Sequence, residues 1–241
     1  MTAAHDEGIV LRLTDFRETS QIAALFTAAH GQVRLIAKGV RRGTRARVAP
    51  GLDLLERGEL SFLPPRGEAD LGTLTEWVQR DAFTGLRRDP ARLYGALYAA
   101  EATLALTEPA EPAAVLYTGL RGLLENLAGK AEPAAALVAF QRVLLRAAGY
   151  APHLESCVEC GRPPRPGEAA YFSSAAGGLL CRDCEIHHVE KRRIADALRG
   201  TRPEDGPAVE WFALLDYHIA EVAGKRLRTA DAVTRLLRAG N

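Results

Sequence analysis

The chain has 241 residues, of which 47% are apolar and 25% charged, the balance of a folded chain with one or two cores rather than a disordered one. Thirty-one Lys and Arg against 30 Asp and Glu leave a net charge of +1, so the sum alone points to no polyanionic partner. No apolar run approaches the roughly 18 residues of a membrane span, and the start, Met-Thr-Ala-Ala-His-Asp-Glu, has neither the basic nor the apolar region of a signal peptide. A soluble cytoplasmic protein with reduced thiols and no membrane partner is therefore expected.

Up to about residue 80 the chain reads as short β runs between turns. Gly8 to Leu13 alternates, with Ile9, Leu11 and Leu13 on one face. Gln21–Thr27 is a second run, and Gln32–Lys38 a third, placing Val33, Leu35 and Ala37 on one face and Arg34, Ile36 and Lys38 on the other. Asp53–Leu63 and Leu71–Val78 complete five predicted strands, the pattern of a small all-β barrel or sandwich. Five is also the strand count of the OB-fold, a barrel often used to bind oligonucleotides, though the count does not select it over its rivals.

From residue 89 the periodicity is helical. Asp89-Pro90, Glu111-Pro112 and Glu132-Pro133 each read as a cap followed by proline at a helix start. Leu116, Leu120, Leu123, Leu124 and Leu127 form one apolar stripe, and Leu137, Phe140, Leu144 and Leu145 another, stopped by Gly149. Two late helices are predicted over 207–222 and 229–238. Such stripes most simply build a helical core. The Pro- and Gly-rich stretch at about 150–186 reads as a loop module inserted into the helices, and it holds all four cysteines.

Those cysteines form the pattern C-x2-C-x20-C-x2-C: Cys157 and Cys160, then Cys181 and Cys184. This is zinc-site spacing. Each short turn offers two thiolates to one ion, and four thiolates close a tetrahedron with no position left for substrate or water. One structural Zn2+ that folds an otherwise under-cored loop is expected. His187 and His188 follow closely and read as solvated surface histidines rather than ligands.

The charges are unevenly placed. From Thr19 to Leu52 there is no Asp or Glu, yet Arg34, Lys38, Arg41, Arg42, Arg45 and Arg47 all lie there. Six cations without a local counter-charge predict a phosphate-binding patch. Six contacts to single-stranded backbone would give a salt slope near −4, at about −0.7 each. Lys191, Arg192 and Arg193 form a second candidate DNA-binding cluster. Phe16, Phe26, Phe62 and Trp77 are the aromatic candidates for base stacking, with a barrel core as the simpler use. No P-loop, nucleophile-elbow or zinc-protease motif occurs, so no catalytic residue and no nucleotide cofactor is assigned.

Several blocks of the sequence stand out together. They are Gly8-Ile9-Val10-Leu11, Glu18-Thr19-Ser20, Leu25-Phe26-Thr27 with His30-Gly31, and Ala37-Lys38-Gly39-Val40-Arg41-Arg42. Further on come Leu71 to Glu76, Leu145 to Pro152, Cys157 to Pro163, Tyr171-Phe172-Ser173 and Gly177 to Cys181. In this order and spacing the blocks resemble the RecO family of bacterial recombination mediators, and the resemblance covers essentially the whole chain. It implies an α+β, multi-domain fold: an N-terminal five-stranded OB-fold β-barrel at 1–80, then an α-helical domain at 81–241 containing the four-cysteine zinc module. It implies a non-enzymatic, nucleoid-associated protein that binds single- and double-stranded DNA and anneals complementary strands. The implied partners are RecR, RecF and the C-terminal tail of the single-strand-binding protein SSB, with RecA loading as the outcome. The alternatives are a zinc-ribbon transcription regulator that reads bases, or a metal-dependent nuclease, which would need an open coordination position.

Overall fold

The computed structural model describes residues 2–16, 18–38, 52–65, 70–163, 165 and 168–240. Five strands, β1 (Ala4–Phe16), β2 (Ser20–Thr27), β3 (Gly31–Ala37), β4 (Arg57–Leu63) and β5 (Gly72–Asp81), close into a barrel in the order β1-β2-β3-β5-β4. Every neighbouring pair is antiparallel except β3 with β5, which is parallel. This is the OB-fold, and closure leaves no free sheet edge. The long β1 makes closure possible by pairing with β4 through Ala4–Ile9 and with β2 through Gly8–Phe16.

Two sequence expectations change here for one reason. The register of β1 shifts between Val10 and Arg12, so the simple alternation of Ile9, Leu11 and Leu13 is interrupted. Val10 enters the barrel core, and Leu13 packs against that core beyond the shift. The stretch 53–56, predicted as the start of the fourth strand, fills the gap instead. Leu55 adopts a left-handed backbone (φ 69°), its N–H donates to the Val10 carbonyl at 2.8 Å, and the Val10 N–H donates to the Glu56 carbonyl at 2.9 Å. The strand therefore begins at Arg57.

The interior is filled by Val10, Ala23, Leu25, Leu35, Ala37, Leu52, Leu60, Phe62, Leu74 and Trp77; among them Ala23 and Leu25, Leu35 and Ala37, and Leu60 and Phe62 follow the period-2 pattern. Trp77 and Phe62 are thereby spent on the core. Phe26 is buried on the outer face, near the Tyr117 ring at 6.5 Å. Of the stacking candidates only Phe16 stays partly exposed.

Helices α1 (Pro90–Leu106) and α2 (Ala114–Ala128) complete the first of two compact units, residues 1–129. The sequence reading divides the chain at residue 80 instead. Asp89 caps α1 by accepting from the Ala91 N–H at 2.7 Å. Glu111-Pro112 does not start α2, which begins at Ala114 without a side-chain cap. The preceding segment is held against β3, where Ala110 (φ 58°) donates to the Gln32 carbonyl at 2.8 Å. Gly31 turns between β2 and β3 with φ +63°, and a Cβ there would sit 1.9 Å from the Glu111 carbonyl oxygen, so only glycine fits. Tyr117 of α2 donates to Glu7 of β1 at 2.5 Å, and Glu7 also accepts from Arg57 at 3.1 Å. Burial and this carboxylate push the Tyr117 hydroxyl well above the ordinary tyrosine range, fixing it as a donor.

The second unit is residues 130–241. Glu132 caps α3 (Pro133–Ala147) by accepting from the Ala134 and Ala135 N–H groups. Helix α3 packs on α4 (Ala208–Val222), where Gln141 donates to the Phe212 carbonyl at 3.3 Å, and α5 (Ala230–Ala239) follows. The predicted loop module contains a small sheet of order β7-β6-β8, with β6 at Ala170–Ser173, β7 at Gly178–Cys181 and β8 at Arg192–Arg193. Gly177 (φ +76°) supplies the turn between β6 and β7. That four-residue turn is what reading the stretch as a plain loop missed.

His218 of α4 is buried against this sheet. Its Nδ1 lies 2.7 Å from Ser174 Oγ and its Nε2 2.9 Å from the Tyr150 carbonyl. Burial holds its pKa below the ordinary histidine value, so the unfolded chain takes up a proton at a higher pH than the folded one. Stability of this unit should therefore fall as pH drops through the ordinary histidine range. Thermal unfolding across pH should show that slope, and His218→Gln should flatten it while costing about 1–3 kcal/mol above that range. An equal slope in the variant would refute the assignment.

Candidate metal centre and nucleic-acid interface

Two tight turns build the metal centre. In the first, the Gly161 N–H donates to the Cys157 carbonyl at 2.8 Å and the Cys157 N–H to the Arg162 carbonyl at 2.9 Å. In the second, at the end of β7, the Cys184 N–H donates to the Cys181 carbonyl at 3.2 Å. Val158 N–H donates to the Leu179 carbonyl, and Leu179 N–H to that of His153, which fastens the first turn onto the hairpin.

The four sulfurs lie within 4.8 Å of one another, and Cys160 Sγ is 3.8 Å from Cys181 Sγ. A tetrahedron of sulfurs about 2.3 Å from a central ion has edges of about 3.8 Å. All four cysteines are free, and a disulfide would need sulfurs about 2.05 Å apart. The donor set thus fits one thiophilic metal ion. Cys157 and Cys184 are buried with Leu180, whereas Cys160 is exposed.

Charge around the set favours thiolate on the open side. Arg162 Nε lies 3.4 Å from Cys160 Sγ and its guanidinium also holds Asp183 at 3.0 Å. Arg162 lowers the Cys160 thiol to about 6, whereas burial pushes the Cys184 thiol up. His187 and His188 stand outside the sulfur cluster. Their Nδ1 and Nε2 lie 2.8 and 2.9 Å from the two oxygens of Glu159, so they tie the first turn to the segment after the second. The sequence reading did not use Arg162 or Glu159. The signal for them was their place beside the ligands.

The expected DNA-binding residues divide into three groups. Arg34 is exposed on the outer side of β3, and Lys38, the first residue after the strand, is exposed too. Register places Arg12 opposite Ala24 and Ala24 opposite Arg34, so two arginines share one row across β1, β2 and β3. Alternation alone does not show that Arg12 lines up with Arg34, because that depends on the register across β2. Arg34 NH1 also pairs with Asp70 at 2.5 Å. Parallel pairing of β3 with β5, Leu35 beside Gly72, brings that acid close although it is remote in sequence. Arg41, Arg42, Arg45 and Arg47 lie outside the described residues.

The third group, Lys191, Arg192 and Arg193, is brought together at β8, with each side chain engaged. Lys191 Nζ donates to the Glu185 carbonyl at 2.7 Å and pairs with its carboxylate. The Arg192 guanidinium lies 5.5 Å from the Tyr217 ring centre. Arg193 pairs with Asp196 at 3.4 Å. Exposed pairs such as the last contribute about 0–1 kcal/mol, so a phosphate can replace the carboxylate at little cost.

Known families supply the context. The model described as recombination protein O, N terminal, matches residues 1–83, and that described as recombination protein O, C terminal, matches residues 87–202. The chain belongs to the recombination protein O family. Among its relatives is the DNA repair protein RecO of Myxococcus xanthus, 30% identical over 241 residues that cover 96% of this chain and 97% of the relative. RecO of Streptomyces griseus is 34% identical, covering 77% of this chain and 76% of the relative. RecO of Moorella thermoacetica is also 34% identical, over 75% of this chain and 66% of the relative. The two matched stretches of recombination protein O contain the barrel and the four cysteines respectively. Among the described residues, no helix is long and apolar enough to cross a membrane.

The centre predicts a metal-dependent module. Elemental analysis of protein purified without chelator should find one ion per chain, and Cys181→Ser should lose it together with the protection of the β6 and β7 amides from hydrogen exchange. Metal-free native protein would overturn the site.

Proposed function

We propose that this chain is a mediator of DNA repair that binds single- and double-stranded DNA and anneals complementary strands without making or breaking bonds. The observation that carries the reading is the exposed cationic row on the OB-fold barrel, Arg12 and Arg34 with Lys38 beyond, in a chain of the recombination protein O family. Phosphate contacts of this kind position a strand without reading its sequence. Neutralising two backbones removes the repulsion that slows their pairing. In this reading Arg41, Arg42, Arg45 and Arg47, in the acid-free stretch that follows Lys38 in sequence, add further phosphate contacts. Lys191, Arg192 and Arg193 serve a second strand.

In this reading the ion is Zn2+, held by Cys157, Cys160, Cys181 and Cys184, and it supplies only structural cross-linking, because four thiolates close its shell. Arg162 keeps Cys160 in the thiolate form that such an ion needs. The protein works with RecR and RecF, engages the C-terminal tail of SSB, and assists RecA loading on SSB-coated strands, within the cytoplasm at the nucleoid.

Annealing of complementary strands coated with SSB, in the absence of ATP, tests the reading. The native chain should accelerate annealing. Arg34→Ala with Lys38→Ala should weaken single-strand binding and reduce the salt slope by about 1.4, at about 0.7 per lost phosphate contact. Unchanged affinity and slope would sink the barrel assignment, and cleavage of DNA with Mg2+ would favour an enzyme instead.

A further inference from the structure

The second unit contains a cleft of about 390 Å3 where β8 meets the start of α4 and the end of α5. Its size lies within the range of roughly 300–1,000 Å3 usual for small-molecule clefts. Three arginines line it: Arg192 and Arg193 from β8, and Arg238 from the last turn of α5. Ile194, Leu198 and Leu214 also line it. These three are almost wholly buried, so the little surface they keep forms an apolar floor.

The arginines are held in three different ways. Arg192 rests over the Tyr217 ring, and the Tyr217 hydroxyl is bound to Glu190. Glu190 in turn accepts from Ser173 Oγ at 2.8 Å and from the Ala175 N–H at 2.9 Å. This chain of contacts fixes the guanidinium before any ligand arrives. Arg193 pairs with Asp196 at 3.4 Å, but Asp196 also pairs with Arg199 at 3.0 Å. Arg193 can therefore turn to a new anion while Asp196 keeps a partner. Arg238 has no ion pair among the described residues. Glu210 is the remaining acid in the cleft and likewise has no ion pair among the described residues.

We infer that this cleft is a nucleotide subsite for single-stranded DNA, with a backbone phosphate on Arg192, Arg193 and Arg238 and an unstacked base on the floor of Ile194, Leu198 and Leu214. The planar guanidinium fork suits phosphate oxygens. An apolar floor next to it suits a single strand, whose bases are free to leave the stack, and excludes paired duplex. Glu210, the other acid lining the cleft, repels the phosphate. The inference rests on the DNA-binding reading above and adds to it a residue, Arg238, that lies far along the chain from either basic cluster.

The experiment uses the full chain and a fluorescent oligothymidylate over a series of salt concentrations. Arg238→Ala should weaken binding several-fold at low salt and reduce the salt slope by about 0.7, the loss of one single-strand phosphate contact. Arg238→Lys should restore most of the slope, which a purely structural role would not require. Glu210→Gln should tighten binding. In the native chain, oligothymidylate should shift the methyl resonances of Ile194, Leu198 and Leu214, whereas an abasic strand with the same phosphates should leave them in place. Normal strand binding that ignores Arg238→Ala and leaves these methyls unmoved overturns the subsite alone. A native chain that binds no single strand overturns the broader DNA-binding reading as well.

Discussion

Closure of the barrel through β1 organises the first unit. One strand of 13 residues pairs with β2 along one part and with β4 along the other, and its register against β2 shifts between Val10 and Arg12. The backbone groups that the shift leaves at Val10 are taken up by Leu55 and Glu56, as buried amides and carbonyls require. The same shift decides which side chains point outward. It sends Val10 inside, and it sets Arg12 in the row that crosses to Arg34. The outer face is then divided. Its Phe26 end is covered by Tyr117 of α2, and its Arg12 and Arg34 end remains open.

The second unit meets a different constraint. A two-residue β8 and two four-residue strands bury too little apolar surface to hold themselves together. Packing of Phe172 against Tyr217 and His218 and the cluster of four cysteines make up for this. Cys157 and Cys184 are buried beside Leu180, and the turns that carry them are hydrogen-bonded to the hairpin. A metal ion held by these residues would couple its binding to folding of the sheet. The sheet also sets the position of Arg192 and Arg193, because β8 pairs with β6 through Tyr171 and Phe172.

Features written in short-range spacing were legible from the residues alone. The cysteine pairs, the capped starts at Asp89 and Glu132, and the stripes of α2 and α3 are of this kind, since each depends on neighbours within a turn or two. Features set by pairing between distant segments were not. The acid-free stretch around Arg34 acquires Asp70 through the parallel β3–β5 pair. The start of the fourth strand gives way to a bulge filler, and Glu111 loses its capping role to a backbone bond between Ala110 and Gln32. Arg238 looks like an ordinary helix-end cation until α5 is placed beside β8. In the candidate sites, the grouping of the four cysteines was therefore readable, whereas the counter-charges and the remote members of each cationic group were not.

The link from Tyr117 to Glu7 bears on how this family's two parts can be separated. The matched N-terminal stretch ends at residue 83, yet the compact unit runs on to 129. A fragment cut at the family boundary would strip the cover from Phe26, remove the hydroxyl that Glu7 accepts from, and free the Gln32 carbonyl that Ala110 now occupies. The evolutionary module and the folding module are thus different lengths of the same chain. An exchange of barrels between relatives would preserve packing only if the first two helices travelled with the strands they cover.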